Sequence, residues 1–135
     1  MLLKAVPPAL IDRAWRQGAS KLGEACDTSD GDITGDQLKM ILSRGERTLL
    51  AMTRGESVDG WGVVTVDQLP NIRVLFVSAM YAPGARFQEF FEQLRLYAEA
   101  NGCSEIRCAA EPVRARLYQI KCGFKPMRTI LKVDV

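Results

Sequence analysis

Leu117-Tyr118-Gln119-Ile120-Lys121-Cys122-Gly123-Phe124-Lys125-Pro126 is the end of a helix followed by the start of a strand. Pro112 opens that helix, and Val113, Leu117 and Ile120 form its expected inward face. Cys122-Gly123 closes it, with glycine in the cap position. The chain then continues as a strand over 125–135. Working back, 104–110 reads as another strand. Before it, Phe87, Phe90, Phe91, Leu94 and Ala98 mark an amphipathic helix that ends near Asn101, with Gly102 as its cap. The run 72–80 (IRVLFVSAM) is apolar on both faces, as a central strand is. A strand–helix–strand unit of this length predicts that 72–80 and 104–110 are parallel neighbours.

Two more strands precede these, 48–53 and 58–67, with turns at Arg54-Gly55-Glu56 and at Pro70-Asn71. The short connections predict an antiparallel meander. Thr34 and Gln37 make a capping box for a helix carrying Leu38, Ile41 and Leu42, ended by Arg44-Gly45. An earlier helix spans about 9–26. Its apolar face is Ile11, Trp15, Gly18, Leu22 and Cys26, and Pro7-Pro8 lies at its first turn. Residues 2–6 form a first strand. The order is β-α-α-β-β-β-α-β-α-β. The expected fold is α+β, or mixed α/β, with a six-stranded mixed sheet.

At 135 residues the chain is one domain, residues 1–135. Hydrophobic residues are 47% and charged residues 25%, the mix of a globular domain with its own core. No apolar run is long enough to span a membrane. The first six residues are too few for a signal peptide, so the expectation is a cytoplasmic protein. Histidine is absent, which removes Ser-His-Asp, Cys-His and His-bearing zinc chemistry. Cys26, Cys103, Cys108 and Cys122 form no CxxC pair, so free thiols and no metal are expected.

The net charge of +2 hides a segregation. Residues 24–36 hold Glu24, Asp27, Asp30, Asp32 and Asp36 and no base. Residues 107–132 hold seven bases against Glu111 alone. Solvated surface is one reading of both stretches. The other reading makes the basic stretch an anion site and the acidic loop a contact for a cationic acceptor. Nucleic acid is a distant option, because no aromatics are interleaved with the bases. Trp15, Trp61 and the Phe87/Phe90/Phe91 cluster read as core. Glu105, Glu111 and Asp67 lie near strand ends and read as surface acids.

The Leu117-Tyr118…Gly123-Phe124 stretch resembles the "LY…GF" signature of GNAT-type N-acetyltransferases, and the element order is also similar over the whole chain. The N-terminal half looks like short phage-encoded members of that superfamily. The resemblance implies that strands 72–80 and 104–110 splay apart to receive acetyl-coenzyme A. Backbone groups at Ser78, Ala79 and Met80 would then pair with its pantetheine amides. The cofactor's pyrophosphate would lie at the N-terminus of helix 86–101, on Gly84, Ala85 and Arg86. The family loop Gln/Arg-x-x-Gly-x-Gly/Ala is only partly present in Tyr81-Ala82-Pro83-Gly84-Ala85-Arg86. Tyr81 and Arg86 depart from it, and Pro83 removes a donor. Tyr118 would be the general acid that protonates the departing thiolate.

The acceptor implied is an amine on a small molecule or a protein. A homodimer or another phage protein would be a macromolecular partner. The alternative is a catalytically silent GNAT-like domain, an interaction or virion-associated protein that does not bind coenzyme A.

Overall fold

A computed structural model describes residues 2–27 and 31–135. Strand β1 (Leu2–Val6) is followed by a 3-10 turn at Pro8–Leu10 and a broken helical stretch. That stretch comprises α1 (Ile11–Ala14), a wide π turn at Trp15–Ala19, and α2 (Ser20–Asp27). Next come α3 (Gly35–Ser43), β2 (Thr48–Arg54), β3 (Ser57–Gln68) and β4 (Arg73–Tyr81). A 3-10 turn at Gly84–Arg86 leads into α4 (Phe87–Ala100), β5 (Glu105–Cys108) and α5 (Pro112–Cys122). The strands form one sheet in the order β1-β2-β3-β4-β5. All neighbours are antiparallel except β4 and β5, which are parallel as the strand–helix–strand unit predicts.

Strand alternation divides the core into two halves, one on each face of the sheet. Leu49, Ala51, Trp61 and Val63 join Ile11, Leu22, Leu38 and Leu42 under α1–α3. Leu50, Met52, Val64, Leu75 and Val77 join Phe90, Phe91, Leu94 and Ala98 under α4. Each fully buried large side chain contributes roughly 1.5–3 kcal/mol relative to exposure. Gly60 and Gly62 make room for Phe90: a Cβ on either would lie 3.0 or 3.1 Å from its ring.

Thr34 accepts from the backbone N–H of Gln37 at 3.2 Å, and Gln37 Oε1 accepts from the Thr34 N–H at 2.9 Å, so the capping box forms. Trp61 is buried and Trp15 half-buried, both in the first core.

Four expectations are corrected. The helix expected over 9–26 is interrupted, because Gly18 stands at φ 131°, outside helical geometry. Its missing side chain admits the Trp61 indole, whose Nε1 would lie 3.3 Å from a Cβ there. The sheet has five strands, and residues 125–135 form neither strand nor helix. A strand needs a neighbour to satisfy its ladder, and among the described residues none pairs with this segment. Its side chains Met127, Ile130, Leu131 and Val133 are 60–86% exposed. On α5 the expected inward face is turned outward: Val113 and Ile120 are 87% and 75% exposed. Ala115, Tyr118 and Cys122 face the body instead. Both sets have helical spacing, so periodicity alone does not choose between them. Strand β5 is also shorter than 104–110. Of the acidic stretch, Asp30 lies outside the described residues.

Candidate active site

The β4–β5 ladder runs from Val74 opposite Glu105 to Val77 opposite Cys108, and there it stops. Strand β4 continues to Tyr81 along β3 alone. The stop has two local causes. Pro112 starts α5 just beyond Ala109–Glu111 and turns the chain away. On the other edge, Val64 pairs with Val77 and Val63 with Ala79, so Ser78 is an extra residue. This bulge bends β4 and re-aims its end. The Ser78 hydroxyl donates to the Val63 carbonyl at 3.3 Å.

Beyond the last rung, the β4 backbone at Ser78, Ala79 and Met80 borders a cavity of about 90 Å³ instead of a neighbouring strand. Cys108, Arg114, Tyr118 and Phe124 close its other side.

Tyr118 is half-buried. Its ring stacks on Phe87 with centroids 5.5 Å apart and planes at 4°, and it meets Phe124 at 5.9 Å. Burial raises its hydroxyl above the ordinary tyrosine range, with the nearby Arg114 guanidinium opposing the shift in part. The phenol is therefore protonated at neutral pH. Burial also raises the thiol of Cys108, so it is a neutral lining group and not a thiolate.

The structure thus brings Ser78, Ala79, Met80 and Tyr118 around one cavity. It does not bring Gly84 or Arg86 there. Gly84 stands at φ 69° in the 3-10 turn leading to α4, a conformation that suits glycine. The side chain of Ala85 lies outside what the structure describes. Arg86 is at the N-cap of α4, where its Nη1 donates to Asp59 Oδ2 at 2.9 Å. The same Asp59 oxygen is 3.2 Å from Arg54 Nε. Asp59 is an unmatched residue between the Met52–Gly60 and Thr53–Val58 pairs, so a second bulge aims this carboxylate.

The candidate acids do not line the cavity. Glu105 binds Arg107 at 2.9 Å, Glu111 stands at the N-cap position of α5 without a side-chain capping hydrogen bond, and Asp67 is on β3 paired opposite Val74. In the sequence Arg114 stands out only as part of the basic stretch and Cys108 only as one of four thiols, and Asp59 belongs to no motif. Arg114 stands four residues before Tyr118, one helical turn away, and that spacing was a usable signal. Nothing local marks Asp59, because its role depends on a bulge.

Among the described residues no group of three or more Cys, Asp or Glu side chains could hold a metal ion. No helix among them is long and apolar enough to cross a membrane. No disulfide joins the four cysteines.

No protein-family model and no curated protein matches the sequence. Solved structures do match the fold. A probable acetyltransferase superposes with a TM-score of 0.68 at 14% identity, over 100% of this chain and 97% of that one. An aminoglycoside acetyltransferase, meta-AAC0020, from an uncultured soil metagenomic sample gives 0.67 at 9% identity, over 98% and 95%. A possible acetyltransferase from Clostridium difficile 630 gives 0.67 at 12%, over 98% and 96%. At these identities the likeness is one of fold: across its full length the chain is an α+β domain with a GNAT-like, five-stranded mixed sheet.

Proposed function

We propose that the chain is an N-acyltransferase that moves an acetyl group from acetyl-coenzyme A to an amine. The observation that carries the reading is the parting of β4 and β5 after Val77 and Cys108, with Tyr118 at the resulting cavity. The parted backbone fits a slender amide-bearing chain, because Ser78–Met80 have a sheet edge with no strand on it. The cofactor would supply the activated thioester. The Ser78–Met80 backbone would hold the amides of its chain in register, and Phe91 and Leu94 give the cavity an apolar floor. Tyr118 would keep a proton where the thiolate departs. With no carboxylate on the cavity, the proton of the attacking amine would leave through water.

The fit is weaker at the phosphate end. An anion at the N-terminus of α4 meets exposed N–H groups and the positive end of the helix dipole. Pro83 offers no N–H there, and the Arg86 charge is shared with Asp59. These two facts favour a second reading, a GNAT-like domain that no longer binds coenzyme A and acts as an interaction or virion-associated protein.

Calorimetric titration of the full chain with acetyl-coenzyme A separates the two readings. Binding in the micromolar range, together with thiol release in the presence of amines, supports the transferase. Absence of heat at millimolar cofactor removes it and leaves the silent domain.

A further inference from the structure

Among the described residues three parts lack a neighbour, and they complement one another. The first is the outer edge of β5, which pairs with β4 on one side only. The second is the stripe Val113, Leu117 and Ile120 on α5, exposed at 87%, 45% and 75%. The third is the segment 125–135. Its residues Met127, Thr129, Leu131, Val133 and Val135 alternate with Arg128, Ile130, Lys132 and Asp134. That is the period-two pattern of a strand with one apolar face. Lys132 and Asp134 form an ion pair at 3.6 Å. Residues i and i+2 share a side in extended backbone and not in a helix.

We propose that segment 127–135 is a strand that completes the sheet of a second copy of this chain. In the dimer each segment lies along β5 of its partner, with its apolar face covered in part by the partner's α5 stripe. The exchange is reciprocal, so it closes with two-fold symmetry and leaves no open end.

A second copy is favoured over the chain's own β5 by the exit geometry. Phe124 is held by the Phe91 ring at 5.4 Å and by Tyr118 at 5.9 Å. Pro126 then restricts Lys125 to extended backbone. From that anchored, stiff exit the segment runs clear of its own body, with Leu131 at 85% and Val133 at 86% exposure. A short, stiff hinge of this kind favours exchange between copies over folding back. Size agrees as well. The segment spans about 30 Å when extended, and two such strands, each covered on an edge and a face, bury on the order of the ~1,600 Å² of a standard specific interface. The inference does not depend on the proposed acyl transfer.

The test is the solution mass of the full chain, by sedimentation velocity from about 1 to 100 µM, with hydrogen exchange on the same samples. The expected species is a dimer of twice 15.0 kDa. The amides of Glu105–Cys108 that face away from β4, and those of 127–135 that face the partner, should be protected in it and lose protection together on dilution. Two pairs of variants follow. Ile130→Pro and Leu131→Pro remove N–H groups that point to opposite sides, so one of the two must break the ladder. Leu131→Asp and Val133→Asp charge the apolar face. The three positions, Ile130, Leu131 and Val133, lie off the body, so circular dichroism should show a folded chain for all four variants. At least one proline variant and both aspartate variants should weaken dimerisation by ~10-fold or more.

A monomer at every concentration overturns the proposal, whether its segment is protected (pairing within one chain) or not. A dimer that all four variants leave unchanged also overturns it, since the interface then lies elsewhere.

Discussion

At the residue scale the informative side chains are Tyr118 and Arg86. Tyr118 borders the cavity, and its hydroxyl is protonated at neutral pH because burial disfavours its anion. If it donates a proton in the transition state, Tyr118→Phe should lower turnover by much of the ~10²–10⁴-fold that general acids supply. Cofactor affinity should stay nearly intact, since the donated proton matters only after binding. Normal turnover in a steady-state thiol-release assay would reduce Tyr118 to a partner for Phe87 and Phe124. Arg86 has the opposite character. Its guanidinium is at the right helix end for a phosphate, but Asp59 holds it at 2.9 Å. Arg86→Glu should weaken coenzyme A binding sharply, and Asp59→Asn, which leaves Arg86 without that partner, should tighten it by roughly 3–10-fold. Calorimetry on the two variants gives opposite signs if the phosphates lie there, and no change in either if they do not.

At the scale of elements, α2 and α3 cross where Gly23 meets Gly35. A Cβ on Gly35 would stand 2.8 Å from the Gly23 carbonyl oxygen, and one on Gly23 3.2 Å from the Gly35 Cα. The contact is backbone to backbone, so no side-chain rotation can relieve it. Gly35→Ala should therefore destabilise the fold by about 1–3 kcal/mol. The gain in helix propensity of up to about 1 kcal/mol offsets only part of this. Urea unfolding measures the difference, and an unchanged midpoint would mean that the two helices can slide apart. The capping box of α3 and the left-handed cap at Gly123 follow from local residue types, and both form as the residues predict. The crossing of α2 and α3 does not follow in that way. A glycine in a helix signals close approach only once its opposite number is known.

At the scale of the whole molecule, titration divides into a flat range and a steep one. With no histidine, no side chain at its ordinary pKa changes charge between about pH 5 and 8. Burial raises Cys26, Cys108 and Cys122 above their ordinary 9.0, and Tyr97 and Tyr118 above 10.0. A raised acid contributes stability that is complete below its ordinary value and is lost as pH climbs through the folded value. Tm should therefore be level from pH 5 to 8 and fall above about pH 9, under reducing conditions. A fall that begins at pH 7 would contradict this set of groups.

The same scale separates what was legible in the sequence from what was not. The meander, the parallel β4–β5 pair, the amphipathic α4 and the end of α5 at Gly123 could all be read in advance. Period-two and period-3.6 patterns, turn residues and caps act within a few positions of one another. That Ser78–Met80 and Tyr118 would share one site was an implication of the GNAT resemblance and not of these patterns. What lay beyond the sequence depends on which surface meets which. The kink at Gly18 exists to admit Trp61. The bulge at Asp59 turns a carboxylate onto Arg86. The face of α5 is chosen by the cavity beneath it, although Val113, Leu117 and Ile120 make an equally regular stripe. The sixth strand was legible as a pattern in 125–135, but a pattern specifies only the tendency to pair. Whether a strand forms depends on an edge to receive it, and that is a property of the folded surface.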